Sequence, residues 1–215
     1  SRAKRSTSRR APLVGSLLIK PAGPDCNLAC GYCFYRSKTA LYPGSARRMR
    51  PPVLAETIRQ YAAVGGSTCT FCWQGGEPTL MGPDFYEAAL GLMAKHGASG
   101  QVMANSIQTN GLLLDERWMT LFDRGRFFVG LSLDGPAPLH DRHRRSVGGG
   151  PTFDRVRRAA RLLARSGIEF NVLAVVTADA ASAPEALYDF FLNEGLRFLQ
   201  FIPAAEREPD GTPAP

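Results

Sequence analysis

Short apolar runs rich in β-branched and aromatic residues alternate along the chain with longer segments whose apolar positions repeat every three or four residues. The first pattern is typical of strands buried in a sheet, and the second is typical of helices that bury one face. The predicted strands are 16–20, 68–73, 102–108, 127–133, 170–176 and 197–202.

Residues that favour helix ends mark the boundaries of five predicted helices between these strands. Proline fits the first turn of a helix, and aspartate or threonine side chains can cap its free N–H groups. Glycine commonly ends a helix. The predicted start and stop residues are Pro51 and Gly65, Pro83 and Gly97, Asp115 and Gly125, Thr152 and Gly167, and Pro184 and Gly195.

The alternation of strands and helices predicts an α/β fold with a parallel sheet. The pattern by itself is compatible with a doubly wound sheet or with an open, partial barrel. In both architectures, ligands bind at the carboxyl ends of the strands. The candidate site is therefore the cysteine cluster after the first strand, "QGGEP" after the second, "TNG" after the third, "SLDGP" at the end of the fourth and "PA" after the sixth.

Length and composition place the chain among ordinary globular proteins. Its 215 residues are enough for one sizeable core, and its 44% hydrophobic and 21% charged residues are usual values. No apolar run approaches the roughly 20 residues of a membrane helix. The basic N-terminal stretch is followed by no apolar signal core, so we expect a cytoplasmic, reducing location and no membrane partner.

The net charge of +7 raises the question of nucleic-acid binding. Five of the 26 basic residues lie in residues 1–10, which contain no acidic residue, so the rest of the chain carries 21 basic and 19 acidic residues. The excess charge therefore belongs to a predicted basic, disordered tail at 1–12, and no nucleic-acid partner is expected.

Three cysteines, Cys26, Cys30 and Cys33, fall within eight positions directly after the first predicted strand. A structural zinc site needs four ligands, and so does an iron–sulfur cluster held by protein alone. Three thiolates therefore predict a metal centre with one open position. The alternatives are three ordinary buried cysteines, or a zinc site completed by a distant histidine.

The spacing C-x3-C-x2-C, with Tyr32 just before the third cysteine, resembles the radical S-adenosylmethionine (SAM) superfamily. The resemblance implies a [4Fe–4S] cluster on Cys26, Cys30 and Cys33, whose fourth iron is chelated by SAM. It also implies a partial (β/α)6 barrel, which is an open parallel sheet with outer helices.

The "GGE" formed by Gly75, Gly76 and Glu77 matches a second motif of that superfamily, at the end of the second strand. Glycines there let the backbone approach a ligand, and the carboxylate can accept a hydrogen bond from the ammonium group of SAM. The resemblance therefore implies that these three residues bind the co-substrate.

Five segments together resemble the anaerobic sulfatase-maturating enzymes over residues 14–207: "PxGxxCNLxCxYCFY", "WQGGEPTLMG", "SIQTNG", "SLDGPxxxHDRxR" and "LQFIP". This implies an oxidoreductase that converts a cysteine or serine of a sulfatase polypeptide to Cα-formylglycine through a 5′-deoxyadenosyl radical. It implies a low-potential electron donor of the flavodoxin or ferredoxin type. By position it implies that Gln74, Ser132 and an arginine of the fourth predicted helix contact the nucleoside ligand; we favour Arg158 over its neighbours Arg155 and Arg157. It also implies that Tyr32 is a cofactor-binding residue and that Tyr35 is a catalytic residue close to the cluster.

The same resemblance implies a further C-terminal domain with two auxiliary clusters, which the 215 residues do not contain. We therefore expect a radical SAM core at 13–205, followed by a linker at 206–215 to that absent domain. We expect the chain by itself to have little or no activity on a peptide. Two other functions stay open: a radical enzyme that modifies another peptide or small molecule, and a non-catalytic electron-transfer module, which would normally supply a fourth cysteine.

Other polar residues are open to more than one interpretation. Cys69 and Cys72 lie three positions apart in a predicted strand, so they face opposite sides and cannot share a metal ion. The "HDRHRR" run is a solvated turn or a lid near the substrate, with His140 or Arg144 as its candidate residues. Asp134 is interpreted either as a brace for its loop or as a ligand contact.

Overall fold

Six parallel strands form one sheet in a computed structural model that describes residues 14–35 and 48–204. Strands that follow each other in the chain are hydrogen-bonded neighbours in the sheet, and every neighbouring pair is parallel. The strands are β1 (Val14–Ile19), β2 (Gly65–Trp73), β3 (Val102–Thr109), β4 (Phe127–Ser132), β5 (Phe170–Val176) and β6 (Leu199–Pro203).

Helices occupy the connections between the strands, as parallel pairs require a crossover. A strand order that follows the chain puts successive right-handed crossovers on the same, outer side of the sheet. The predicted α/β class and partial (β/α)6 barrel are confirmed. The helices are α1 (Pro51–Val64), a 3₁₀ helix (Pro78–Met81), α2 (Pro83–His96), α3 (Glu116–Arg124), α4 (Ala137–His143), α5 (Phe153–Arg165), α6 (Ala178–Ala181) and α7 (Pro184–Asn193).

Aromatic side chains fill much of the core between the sheet and helices α1 to α3. The ring of Trp73 on β2 packs edge-on against that of Tyr86 on α2, with ring centroids 5.4 Å apart, and Tyr86 also contacts Trp118 on α3. The Trp73 indole N–H donates to the Asn105 side-chain oxygen at 3.0 Å, so this buried polar group is satisfied. Phe71 and Trp73 are therefore core residues, fully buried under the outer helices.

The helix starts mostly follow the sequence signals. Asp115 caps α3 by accepting from the N–H groups of Arg117 and Trp118. Thr152 is the N-cap residue of α5, as predicted, but its side chain makes no capping bond. The cap comes from Asp141 on α4, whose carboxylate accepts from the N–H groups of Thr152 at 2.7 Å and Phe153 at 2.9 Å.

The segment predicted as a turn or lid, "HDRHRR", begins as the end of a short helix, α4. Proline at its second residue fits the first turn. The segment after α4 lies beside the cysteine loop, which we define as residues 23–35. Backbone bonds join the two segments, from the Ala29 N–H to the Arg145 carbonyl at 2.8 Å and from the Gly31 N–H to the His143 carbonyl at 3.0 Å.

Parts of the predicted organisation lie outside the described residues. These are the basic tail at 1–12 and the linker at 206–215. Within the described residues, the model contains no helix with the length and apolar character needed to cross a membrane.

Candidate functional site

A cleft of about 430 Å³ opens at the carboxyl ends of the strands, where parallel α/β folds bind their ligands. Its walls come from the cysteine loop, the turn after β2, the ends of β3 to β6 and the end of α4. The cleft brings together every sequence-predicted site residue except Arg158: Cys26, Cys30, Tyr32, Cys33, Tyr35, Gln74, Gly75, Gly76, Glu77 and Ser132.

The cysteine loop is folded by its own hydrogen bonds. Its first turn is closed by the Gly23 N–H, which donates to the Lys20 carbonyl, and a later turn by the Cys33 N–H, which donates to the Cys30 carbonyl at 3.2 Å. Leu28 forms an isolated antiparallel bridge with Ser146, beyond α4. The fold of the loop therefore presents the three thiols to one cleft.

The loop thiols are in an apolar setting that disfavours charge. Burial raises the pKa of the Cys26 thiol to about 11, although the Leu28 N–H donates to its sulfur. Burial also raises the pKa of Cys30, and the positive charge of Arg144 partly offsets this. These thiols are protonated at neutral pH, so binding of a metal centre must displace their protons.

The turn after β2 fits against the cysteine loop so closely that glycine is required. A Cβ on Gly76 would lie 2.1 Å from the Asp25 carbonyl oxygen. Gly75 has a φ of 118°, which side-chain-bearing residues rarely adopt. The Gly76 N–H donates to the Gly23 carbonyl and the Glu77 N–H to the Asp25 carbonyl, both at 2.8 Å. The "GGE" turn and the cysteine loop therefore form one unit.

Glu77 is buried, and its carboxylate accepts hydrogen bonds from four donors. Oε1 accepts from the Thr79 N–H at 2.9 Å, the Thr79 hydroxyl at 2.6 Å and the Thr109 hydroxyl at 2.8 Å, and Oε2 accepts from the Asn110 N–H at 2.8 Å. Burial raises the pKa of Glu77, and these donors oppose the rise. The carboxylate predicted as a ligand contact therefore also ties the "GGE" turn to the end of β3.

Polar side chains of β3 and β4 meet across the inner face of the sheet. The Gln108 amide donates to the Ser132 hydroxyl at 3.0 Å, and both residues line the cleft. Gly130 leaves the space for this contact, since a Cβ there would lie 2.1 Å from the Gln108 side-chain oxygen. Asn110, two residues after Gln108, donates through its side-chain amide to the Asn27 side-chain oxygen at 2.7 Å. This bond connects the end of β3 to the cysteine loop.

Arg144 and Asp134 are two site residues that sequence reasoning left undecided. Arg144 lines the cleft, and its guanidinium donates through Nε to the Asp134 carboxylate at 2.9 Å. The side chains are 9% and 4% exposed, so this is a buried ion pair. Tyr32 donates its hydroxyl to the same carboxylate oxygen. Both charged residues belong to the quoted "SLDGPxxxHDRxR" segment, which was the available sequence signal.

His140 takes a structural position beside that pair. It is fully buried, its Nδ1 accepts from the Asp134 N–H at 3.3 Å, and its Nε2 lies 3.1 Å from the Thr152 hydroxyl. Burial lowers the pKa of His140 to about 4, and the charge of Arg144 acts in the same direction. The ring is therefore neutral at physiological pH, and it does not line the cleft.

Arg158 is not brought to the cleft, contrary to the sequence prediction. It lies on α5 in a separate groove, which we call the arginine groove and define by Leu112, Arg155, Arg158, Arg161 and Arg165. Residues three and four positions apart share one face of a helix, so Arg158, Arg161 and Arg165 lie together on α5. The cation in the cleft is Arg144, which stands at the end of α4.

The remaining cysteines do not join the cluster. Cys69 is fully buried, where the Gln101 amide contacts its sulfur at 3.3 Å, and neither Cys69 nor Cys72 lines the cleft. Within residues 14–35 and 48–204, no three His, Cys, Asp or Glu residues are grouped as ligands of a single metal ion.

Comparison with known proteins points to one superfamily. The model of the radical SAM superfamily matches residues 21–190. A cysteine-type anaerobic sulfatase-maturating enzyme of Clostridium perfringens is 42% identical over 188 residues, which cover 87% of this chain and 51% of that enzyme. A serine-type anaerobic sulfatase-maturating enzyme of Klebsiella aerogenes is 40% identical over 197 residues, covering 90% of this chain and 48% of that enzyme.

A solved structure shows the same similarity. Native anSMEcpe with bound AdoMet and Cp18Cys peptide superposes with a TM-score of 0.83 and 41% sequence identity, covering 89% of this chain and 51% of that one. The chain thus spans about half the length of the curated relatives it matches. Its cysteine loop, its "GGE" turn and its family match agree, and the chain belongs to the radical SAM superfamily.

Proposed function

We propose that this chain is the core of an enzyme that oxidises a cysteine or serine of a sulfatase polypeptide to Cα-formylglycine. The observation that carries the proposal is the single cleft that gathers three thiols, the "GGE" turn and Ser132 at the carboxyl ends of the strands. The choice of substrate is supported by the cysteine-type and serine-type relatives and by the peptide in the related structure.

The donor set fits a [4Fe–4S] cluster held by Cys26, Cys30 and Cys33. Thiolates are the ligands that such clusters take, one for each iron. No fourth described cysteine lines the cleft, which favours a cluster with one iron left for SAM over an electron-transfer cluster that is fully held by protein. When bound, the cluster and SAM supply the one-electron chemistry that oxidises the substrate.

The other cleft residues are proposed to hold SAM. Gly75 and Gly76 line the cleft on the wall proposed for its amino-acid part, and Oε2 of Glu77, which accepts from the Asn110 N–H, can also accept from its ammonium. Arg144 donates to Asp134 through Nε, and its other guanidinium N–H groups can donate to the carboxylate of SAM. Gln74 and Ser132 lie on the cleft wall for the nucleoside part.

Tyr35 and several apolar side chains complete the cleft. Leu28, Val175 and Ile202 line it from the cysteine loop and from the last two strands. Their role is to exclude water from the reacting groups, since a dry site limits side reactions. Tyr35 is the last residue of the cysteine loop and lines the cleft, and it is the proposed catalytic residue.

The electron donor is proposed to be a low-potential protein of the flavodoxin or ferredoxin type. The arginine groove supports an acidic partner, because Arg155 and Arg158 form no ion pair with the acidic residues that the structure describes. The groove also lies close to the proposed cluster. Arg155 donates to the Leu112 carbonyl at 3.2 Å, the Leu112 N–H donates to Asn110, and Asn110 contacts the Cys26 sulfur at 3.7 Å.

The test is an anaerobic reaction of the reconstituted chain with SAM, dithionite and a sulfatase peptide containing a C-x-P-x-R motif. Peptides with cysteine, serine or alanine at the target position are compared, and mass spectrometry measures 5′-deoxyadenosine and peptide aldehyde. We expect deoxyadenosine with every peptide, and aldehyde from the cysteine or serine peptide at a yield well below one per deoxyadenosine.

The Cys30→Ala variant is the control and should form neither product. Oxidation of the alanine peptide to the same extent as the cysteine and serine peptides would refute the sulfatase substrate while leaving the superfamily reaction in place. A chain that contains the cluster and forms no deoxyadenosine would refute the proposed reaction as a whole.

A further inference from the structure

Asp134 is hydrogen-bonded to several of the elements that form the cleft. Its Oδ2 accepts from the Tyr32 hydroxyl and from Arg144 Nε, and its Oδ1 accepts from the Val175 N–H at 3.0 Å. Its own N–H donates to His140. One buried carboxylate, 3% exposed, therefore joins the cysteine loop, the end of α4 and β5.

We propose that Asp134 is a positioning residue, which sets the cysteine loop through Tyr32 and the cleft cation through Arg144 before any cofactor binds. The inference deepens the proposed function and rests on it. Asp134 itself does not line the cleft, so it acts through these two residues and not by touching a ligand.

The first connection fixes the cysteine loop. Tyr32 lies between Cys30 and Cys33, and its hydroxyl reaches across the fold to a carboxylate 102 residues away. Its ring is enclosed by Arg144, 5.5 Å from the ring centroid, and by His143, with ring centroids 5.7 Å apart. A loop that moved away would leave a buried carboxylate with one donor fewer, so the bond opposes movement.

The second connection fixes the cation. The backbone of Arg144 is held by its N–H to the His140 carbonyl at 2.8 Å and by its own carbonyl, which accepts from the Thr152 hydroxyl. Within the described residues, the side-chain acceptor of the Arg144 guanidinium is Asp134. A long side chain has many rotamers, and a buried partner selects one of them. Asp134 therefore determines where the other N–H groups of Arg144 stand in the cleft wall.

The first test needs no cofactor. Alkylation rates of the apo chain are followed thiol by thiol with mass spectrometry, for the wild type, Asp134→Asn and Asp141→Asn. Asp141 is the matched control, because its carboxylate is also hydrogen-bonded but caps α5 instead of contacting the cysteine loop. Cys69, fully buried in β2, reports global opening.

In Asp134→Asn we expect alkylation of Cys30, which is 7% exposed, to accelerate about tenfold or more, as for a loop that opens locally, while Cys69 stays unchanged. Asp141→Asn should change neither rate. Equal acceleration of Cys30 and Cys69 would show that Asp134 supports the fold in general, and an unchanged Cys30 would show that it does not hold the loop. Either result overturns the proposal.

The second test is a double-mutant cycle on the affinity of the cluster-loaded chain for SAM. Asp134→Asn and Arg144→Gln should each weaken binding by about tenfold, and the double variant should bind no more weakly than Arg144→Gln, because one residue acts through the other. If the losses of affinity in the two single variants multiplied in the double variant, Asp134 and Arg144 would act independently. That result would overturn the proposal that Asp134 acts through Arg144. A loaded wild type that binds no SAM would refute the proposed function, whereas the alkylation result still decides the role of Asp134 in the loop.

Discussion

Replacing Glu77 by alanine should destabilise the apo chain strongly, because the carboxylate is a buried hub of hydrogen bonds. The side chain accepts four bonds, two of them from the backbone N–H groups of Thr79 and Asn110. The threonine hydroxyls can rotate towards other acceptors when the carboxylate is removed. The two backbone donors cannot, since the turn and the end of β3 fix their directions.

The magnitude follows from those two donors. A buried donor left without a partner costs about 1–3 kcal/mol, so two of them cost roughly 4 kcal/mol. Removal of a buried charged group returns part of this, since burial opposes its ionisation. We expect a net loss of about 3 kcal/mol in the free energy of unfolding. For a chain of this length, that corresponds to a fall of roughly 6–12 °C in the midpoint of thermal unfolding.

Urea and thermal unfolding of the apo chain, followed by tryptophan fluorescence, measure this loss. Glu56→Ala is the matched control, since Glu56 lies on the surface of α1 and pairs with exposed Arg59. Replacing this exposed residue should change the free energy of unfolding only slightly. A Glu77→Ala variant whose stability matched that control would show that water replaces the carboxylate at no cost and would refute the reasoning.

Three further predictions follow from the site. Iron analysis after anaerobic reconstitution should show that alanine in place of any of the three loop cysteines abolishes the cluster, whereas Cys69→Ala and Cys72→Ala retain it; loss of iron in the last two would contradict the assignment. Calorimetric titration of the loaded chain with SAM should show about tenfold weaker binding for Arg144→Ala and little change for Arg158→Ala, since the former lines the cleft and the latter does not. The folded chain keeps His140 neutral down to a pKa of about 4, against 6.5 for an ordinary histidine, so the unfolded chain binds the extra proton between these values. The contribution of neutral His140 to the free energy of unfolding should therefore be fully present above pH 6.5 and should fall by about 3 kcal/mol as the pH drops to 4. Urea unfolding at a series of pH values should show this fall, and the fall should be smaller in His140→Gln.

Local sequence signals were enough for the six strands and the five longer helices, whereas the 3₁₀ helix, α4 and α6 were not predicted. Strand β5 has the predicted bounds, 170–176, and α2 begins at Pro83 and ends at His96 as predicted. These signals succeed because the spacing of apolar residues and the residues at helix ends depend only on a few neighbouring positions in the chain. The cysteine loop and the "GGE" turn were likewise recognisable, since each is a short motif that follows a strand.

Only the tertiary structure decided which distant side chains meet. The sequence favoured Arg158 as the cleft cation, whereas the fold places Arg144 there and turns Arg158 to the arginine groove. It placed Thr152 at the N-cap of a helix, whereas Asp141 from the preceding helix supplies the capping bonds.

The physical reason is that such partners are chosen by the packing of whole elements. Tyr32 and Asp134 are 102 residues apart, and nothing in the pattern around either residue indicates that a hydroxyl and a carboxylate will share one buried site. Their pairing depends on where β4, α4 and the cysteine loop come to rest against one another. The sequence by itself determined the strands, the parallel α/β class and the thiol motif, whereas the packing of these elements determined the strand order and the charges and hydrogen bonds that surround the motif.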